Sequence, residues 1–152
     1  MELVLIAGEG RDVGKTLLGE RLVAALRNRG LRVGVVKHVH HGVDYRVKDT
    51  GRYLGAGAER VVAVGPSEYM VVEKKRLGFW EAIQLLNGPD AVIVEGFREH
   101  IDSVIEKGGC TAYIHRDGTI DINPGNKEVH NIDEVLHVLT ELVAAKKCTI
   151  TA

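Results

Sequence analysis

Cysteine is scarce in this chain. Cys110 and Cys148 are the two present, their spacing matches neither a metal cradle nor a redox pair, and they read as reduced thiols of a cytoplasmic protein. Aromatic residues make up 5% of the chain, too few for a platform on which bases would stack. Neither sign of charge dominates: 20 Lys and Arg stand against 21 Asp and Glu, for a net charge of −1. Nothing in that balance calls for nucleic acid or an anionic membrane surface as a partner. Apolar runs such as Val61–Val64 and Ala91–Val94 stop far short of a bilayer span. The opening Met1-Glu2-Leu3-Val4-Leu5-Ile6-Ala7 has no basic segment and is too short for a signal peptide. The three prolines sit in turn contexts, Gly65-Pro66-Ser67, Gly88-Pro89-Asp90 and Asn123-Pro124-Gly125, and no linker or repeat divides the 152 residues. One domain, 1–152, is the expectation. Glycine is the one excess, with 18 residues where ordinary usage of ~7% gives roughly 11.

The apolar pattern alternates between strand and helix. Leu3–Ala7 is a short, almost wholly apolar run, the mark of a strand covered on both faces. Apolar residues at 18, 22, 25 and 26 predict a helix over Thr16–Arg29, with Gly30 as its stop. Leu31–Lys37, Val61–Val64 and Ala91–Val94 read as three more buried strands. Phe79–Leu86 and Ile132–Lys147 have helical spacing. Thr111–His115 and Thr119–Ile122 flank Arg116-Asp117-Gly118, a hairpin turn. The expected class is α/β: a mostly parallel sheet with helices on both faces and a small C-terminal hairpin. Such sheets bind ligands beyond the carboxyl ends of their strands.

At the end of the first strand comes Gly8-Glu9-Gly10-Arg11-Asp12-Val13-Gly14-Lys15-Thr16, then the helix, with Leu17 in its first turn. Strand, glycine-rich loop and Gly-Lys-Thr before a helix make a P-loop. Small residues let backbone N–H groups curl around an anion, and the helix start adds partial positive charge. Lys15 would reach the β- and γ-phosphates, and the Thr16 hydroxyl would hold Mg²⁺. Residues 10–17 are therefore the candidate phosphate cradle. The glycine register is irregular. The usual loop has about four residues before Gly-Lys-Thr, whereas here Gly8 leaves five and Gly10 three, with Glu9 in the expected place of the first glycine. Arg11 is a candidate for phosphate contact, or an exposed loop charge.

Ala91–Val94 runs into Glu95-Gly96-Phe97. An acid at the end of a strand beside the loop would hold Mg²⁺ through water or orient an attacking water, and Gly96 would let backbone approach the γ-phosphate. An acid capping a surface strand is the plainer reading. The second strand ends in Lys37-His38-Val39-His40-His41, followed by Asp44 and by Lys48-Asp49-Thr50. Imidazoles at 38, 40 and 41 would suit zinc or nickel. Lys37, His38 and Lys48 would alternatively meet phosphate or substrate, with Asp44 at Mg²⁺ or water. A solvated loop with His38 at a strand end is the third reading. Asp49-Thr50 would cap a short helix through Arg52-Tyr53-Leu54.

Taken in order, the Gly-Lys-Thr loop, Lys37-His38-Val39-His40-His41 with Asp44 and Lys48-Asp49-Thr50, Ala56-Gly57-Ala58, and Val94-Glu95-Gly96-Phe97 resemble the MobB family of molybdopterin-guanine dinucleotide biosynthesis proteins. Tyr113-Ile114-His115-Arg116-Asp117-Gly118 is a weaker fifth piece. The resemblance implies a GTP-binding, slowly hydrolysing P-loop protein that assists the guanylyltransferase joining GMP to molybdopterin, and a homodimer. Carried over, Gly14, Lys15 and Thr16 bind phosphate and Mg²⁺, Glu95 is the acid on the metal side, and Asp44, Lys48 and Asp49 occupy the motif after the second strand. Lys15, Glu95 and Asp44 are then the catalytic candidates, and Thr16, Glu95 and Asp44 the metal ligands. The family often has Asp-Lys-Pro-Gly-Lys-Asp-Ser where this chain has Asp44-Tyr45-Arg46-Val47-Lys48-Asp49-Thr50. The guanine-reading Asn/Thr-Lys-x-Asp pattern is absent, so the choice of GTP over ATP rests on the resemblance. Three other functions stay open: a metallochaperone GTPase using His38, His40 and His41; an ATP-dependent ligase or kinase, since the loop also resembles that of dethiobiotin synthetase; and a binding module that holds nucleotide as a structural or regulatory ligand without useful turnover.

Overall fold

A computed structural model describes residues 1–40, 42 and 48–151. The chain forms two compact units, Met1–His38 with Phe79–Ala152, and Val39–Gly78. Neither junction has a linker composition.

The first unit is built on β1 (Glu2–Gly8), α1 (Lys15–Asn28), β2 (Val33–Lys37), α3 (Phe79–Gln84), β5 (Ala91–Glu95), α4 (Ile101–Glu106), β6 (Cys110–Ile114), β7 (Ile120–Asn123), β8 (Lys127–Val129) and α5 (Ile132–Ala144). The second holds α2 (Lys48–Gly55), β3 (Arg60–Val64) and β4 (Tyr69–Glu73). The larger sheet has the order β2-β5-β1-β6-β7-β8. Its first four strands are parallel and the β6-β7-β8 edge is antiparallel. This is the expected α/β class with its C-terminal hairpin.

Strand alternation sorts the core into two layers. Val4, Ile6, Ala91 and Ile93 face Leu18, Leu22 and Leu26 of α1 and Val135, Leu139 and Val143 of α5. Leu3, Leu5, Ala7, Val92 and Val94 face the other way, onto Phe79 and Ile83 of α3 and Val104 of α4. Both faces of β1 and β5 are covered, which is why their sequences are continuous apolar runs.

Three expectations are corrected. Cys110 and Cys148 are not reduced thiols: they form a disulfide with Cα atoms 5.0 Å apart, across a sequence separation of 38. Sheet register makes this contact. Cys110 pairs with Val4 on β1, while Leu3 N–H donates to the Cys148 carbonyl at 2.9 Å, so both cysteines flank the same stretch of β1. Spacing in the sequence carries no trace of that. The run Leu31–Lys37 is not a buried strand. It forms the edge strand β2 from Val33 onward, and Val35 is half exposed. Val61–Val64 is likewise not part of the main sheet. It lies in β3, which pairs antiparallel with β4 alone and alternates between covered and exposed residues. The short elements β4, β8 and α4 carry too few residues to show a period, and the sequence pattern did not reveal them.

Candidate functional site

The loop between β1 and α1 folds by positive backbone angles. Gly10 (φ 72°), Asp12 (φ 58°) and Gly14 (φ 102°) take left-handed conformations, and Gly14 leads directly into α1. A glycine at 14 permits that angle without a side-chain clash. The start of α1 carries no side-chain cap and no acidic residue in its first turn. Its neighbour α5 begins in the opposite way: Asn131 Oδ1 accepts from Glu134 N–H at 2.7 Å, and Asp133 and Glu134 occupy the first turn. One helix satisfies its first amides from its own chain. The other leaves the first turn open to an external anion.

Parallel pairing puts the acidic candidate beside this loop. Glu95 ends β5, in register with Ile6 of β1 and Lys37 of β2. Its side chain is 14% exposed. Thr16 Oγ1 donates a hydrogen bond to Glu95 Oε1 at 2.7 Å, across 79 residues of sequence. Lys37 Nζ lies 3.8 Å from Glu95 Oε2. Lys15 Nζ donates to the Gly10 carbonyl at 3.3 Å, so its ammonium lies back across the loop. A hydroxyl and a carboxylate oxygen in contact, at the open end of parallel strands, are hard donors that suit Mg²⁺.

The sequence candidates separate into groups. Lys15, Thr16, Lys37 and Glu95 come together at the ends of β1, β2 and β5. Val13 packs onto the core beneath the loop, while Arg11, Asp12 and Leu17 are exposed on it. His38 N–H donates to the Glu95 carbonyl at 2.9 Å, and its ring stacks on Phe97 with centroids 4.4 Å apart. Gly96 (φ 92°) has a structural reason for its identity: a Cβ there would stand 2.9 Å from the His38 Cβ. Lys48 and Asp49 belong to the second unit, where Asp49 lies in the first turn of α2 rather than ahead of it as a cap. Asp44 and His41 lie outside the described residues. Among the described residues no three His, Cys, Asp or Glu side chains gather as a metal site. No helix among them is long and apolar enough to cross a membrane.

Sequence reasoning missed the other flank of the loop. Glu9, the residue out of place in the glycine pattern, turns to the β6–β7 hairpin. Its Oε2 accepts from Arg116 N–H at 2.8 Å and its Oε1 lies 3.7 Å from His115 Nδ1. His115 Nε2 lies 2.7 Å from Asp121 Oδ2 on β7. The hydrogen bond from the Arg116 amide holds the Glu9 carboxyl below its ordinary range, and that to Asp121 raises the His115 imidazole. The available signal was the departure itself: a glutamate standing where the loop pattern has its first glycine.

Comparison with known proteins bears on this geometry. The family model described as MobB, molybdopterin guanine dinucleotide synthesis protein B, matches residues 3–109. A molybdopterin-guanine dinucleotide biosynthesis adapter protein of Escherichia coli (strain K12) is 32% identical over 101 residues, covering 60% of this chain and 58% of that protein. The protein of the same description from Haemophilus influenzae is 34% identical over 92 residues, 57% of this chain and 52% of that one. The chain thus spans a little over half the length of these curated relatives. The crystal structure of Bacillus subtilis MobB superposes with a TM-score of 0.62 at 21% identity, covering 97% of this chain and 98% of that one. That of a MobB homologue from Bacillus stearothermophilus gives 0.62 at 19% identity, covering 95% and 99%. These likenesses show the fold.

Proposed function

The chain belongs to the MobB family, and we propose from that premise that it is a GTP-binding accessory protein of molybdenum or tungsten cofactor assembly. In this reading it assists the guanylyltransferase that joins GMP to molybdopterin, and it acts as a homodimer. The observation that carries the nucleotide part is the 2.7 Å hydrogen bond between Thr16 and Glu95 beside an uncapped helix start. Loop amides and Lys15 would take the β- and γ-phosphates. Thr16 and Glu95 would hold Mg²⁺, which when bound supplies positive charge against the phosphate oxygens. Glu95, kept in place by Thr16 and Lys37, would orient a water for slow hydrolysis, and Lys15 would stabilise charge as the terminal phosphate departs. Asp44 remains the second candidate for that water.

Titration calorimetry with GTP and ATP, each with Mg²⁺, tests the reading. GTP should bind more tightly than ATP, and Lys15→Ala should weaken GTP by about 10–100-fold, the worth of one charge-assisted contact. Absence of binding by either nucleotide, or a Lys15→Ala variant as tight as the parent, would refute it.

A further inference from the structure

The β6–β7 turn gives the phosphate loop a second cation. Lys15 Nζ meets the carbonyl of Gly10 at 3.3 Å. Arg116 Nη2 stands 2.6 Å from the point where a Cβ on Gly10 would sit. An ammonium from the helix start and a guanidinium from the far hairpin therefore converge on one loop residue. The glycine at 10 makes room for the arginine as well as supplying the loop's positive φ. Arg116 is held there by its own backbone. Its amide donates to Glu9 Oε2 at 2.8 Å, and Glu9 is chain-adjacent to Gly10. His115, one residue earlier, is fixed between Glu9 and Asp121. Asp117, one residue later, accepts from the amide and hydroxyl of Thr119 at 2.9 and 2.7 Å and closes the turn. Among the described residues no carboxylate pairs with the Arg116 guanidinium. The guanidinium, a planar fork of N–H donors, thus lies against the P-loop at Gly10, and such a fork matches phosphate oxygens geometrically.

We infer that Arg116 is a phosphate ligand supplied by the chain's own β6–β7 turn, taking the terminal phosphates of a nucleoside triphosphate together with Lys15, and that Glu9 is its positioning residue. The inference rests on nucleotide binding at the loop. It gives the irregular glycine register a purpose: the glutamate in the first glycine's place holds the turn that delivers the arginine.

The test measures GTP and GDP affinity with Mg²⁺ for the parent, Lys15→Ala, Arg116→Ala, Arg116→Lys, Glu9→Ala and Glu9→Gln, with circular dichroism and thermal melting of each without nucleotide. Arg116→Ala should weaken GTP by about 10–100-fold and GDP by less, at an unchanged melting temperature, because the side chain is exposed. Arg116→Lys should recover part of the loss, since charge returns without the fork. Glu9→Ala, which removes the acceptor of the Arg116 amide, should fall between parent and Arg116→Ala. Glu9→Gln, which keeps an acceptor oxygen, should recover most of that loss. Parent-like GTP affinity in Glu9→Ala overturns the positioning role. Parent-like GTP affinity in Arg116→Ala, alongside a loss in Lys15→Ala, overturns the inference and leaves nucleotide binding standing. Equal losses for GTP and GDP overturn the assignment to terminal phosphates. A parent chain that binds no nucleotide overturns both.

Discussion

The two sheets of this protein are held by different physics. In the larger sheet, β1 and β5 are covered on both faces, and Leu3, Leu5, Ile6, Val92 and Val94 are fully buried. In the smaller one, β3 and β4 alternate. Arg60, Val62 and Val64 and, opposite them, Glu73, Val71 and Tyr69 form an exposed face, with Val64 81% and Tyr69 73% accessible. The first sheet draws its stability from apolar burial. The second has ladder hydrogen bonds and one half-covered face, with α2 packed on β3, and its exposed 2.8 Å Arg60–Glu73 pair adds little. An apolar run in the sequence therefore means different things in the two places: β5 and β3 are both rich in valine, and only one is a core.

The largest effect follows from truncating matched positions. Ile93→Ala removes a fully buried side chain from the core layer beneath α1 and should cost about 2–5 kcal/mol. Val62→Ala, at a half-exposed position, should stay within about 0.5 kcal/mol. Urea denaturation of both variants checks this. Similar midpoints would break the contrast between a buried and a surface sheet.

A covalent link sharpens the contrast further. The Cys110–Cys148 bridge ties the start of β6 to the segment after α5 and constrains the unfolded chain across 38 residues. Replacing both cysteines by alanine should lower stability by about 2–4 kcal/mol, read as a reduced denaturation midpoint. An unchanged midpoint would show that burial alone holds this sheet. The smaller sheet has no such link, since both cysteines are in the larger unit.

The same contrast decides what the sequence disclosed. β1, β5 and the helices α1 and α5 were legible because continuous burial or a 3.6-residue stripe repeats over enough positions to be seen. The Gly-Lys-Thr loop and Glu95 were legible because each follows an apolar strand, and parallel pairing then sets Glu95 beside Thr16. The membership of β3 was not legible: a four-residue apolar run fits a buried strand and a two-stranded ribbon equally well. The disulfide and the Glu9–Arg116 hydrogen bond were hidden for another reason. Each joins residues that sheet register brings together, across separations of 38 and 107 residues.

The smallest predicted effect lies at the exposed antiparallel edge of the larger sheet, where charge rather than apolar burial makes the contacts. His115 is held between Asp121 and Glu9, with Asp117 nearby, and the Asp121 hydrogen bond raises its imidazole above the ordinary value of 6.5. Below that value the imidazole is protonated in folded and unfolded chains alike, so the contribution of these pairs is fully present. As pH climbs from 6.5 through the raised value, the folded chain keeps a proton that the unfolded chain has released. Stability therefore falls with rising pH across this window. Glu9 and Asp117 are shifted the other way, and their contributions fade only as pH drops through their lowered carboxyl values. The two responses occupy opposite ends of the scale and can be read apart. Melting temperatures of the parent between pH 6 and pH 9 should decline slightly, and His115→Gln should flatten that decline while leaving the acid limb in place. A parent curve as flat as that of His115→Gln would mean that the imidazole packs at this edge without its charge contributing, and the sheet's edge would then be held as its centre is.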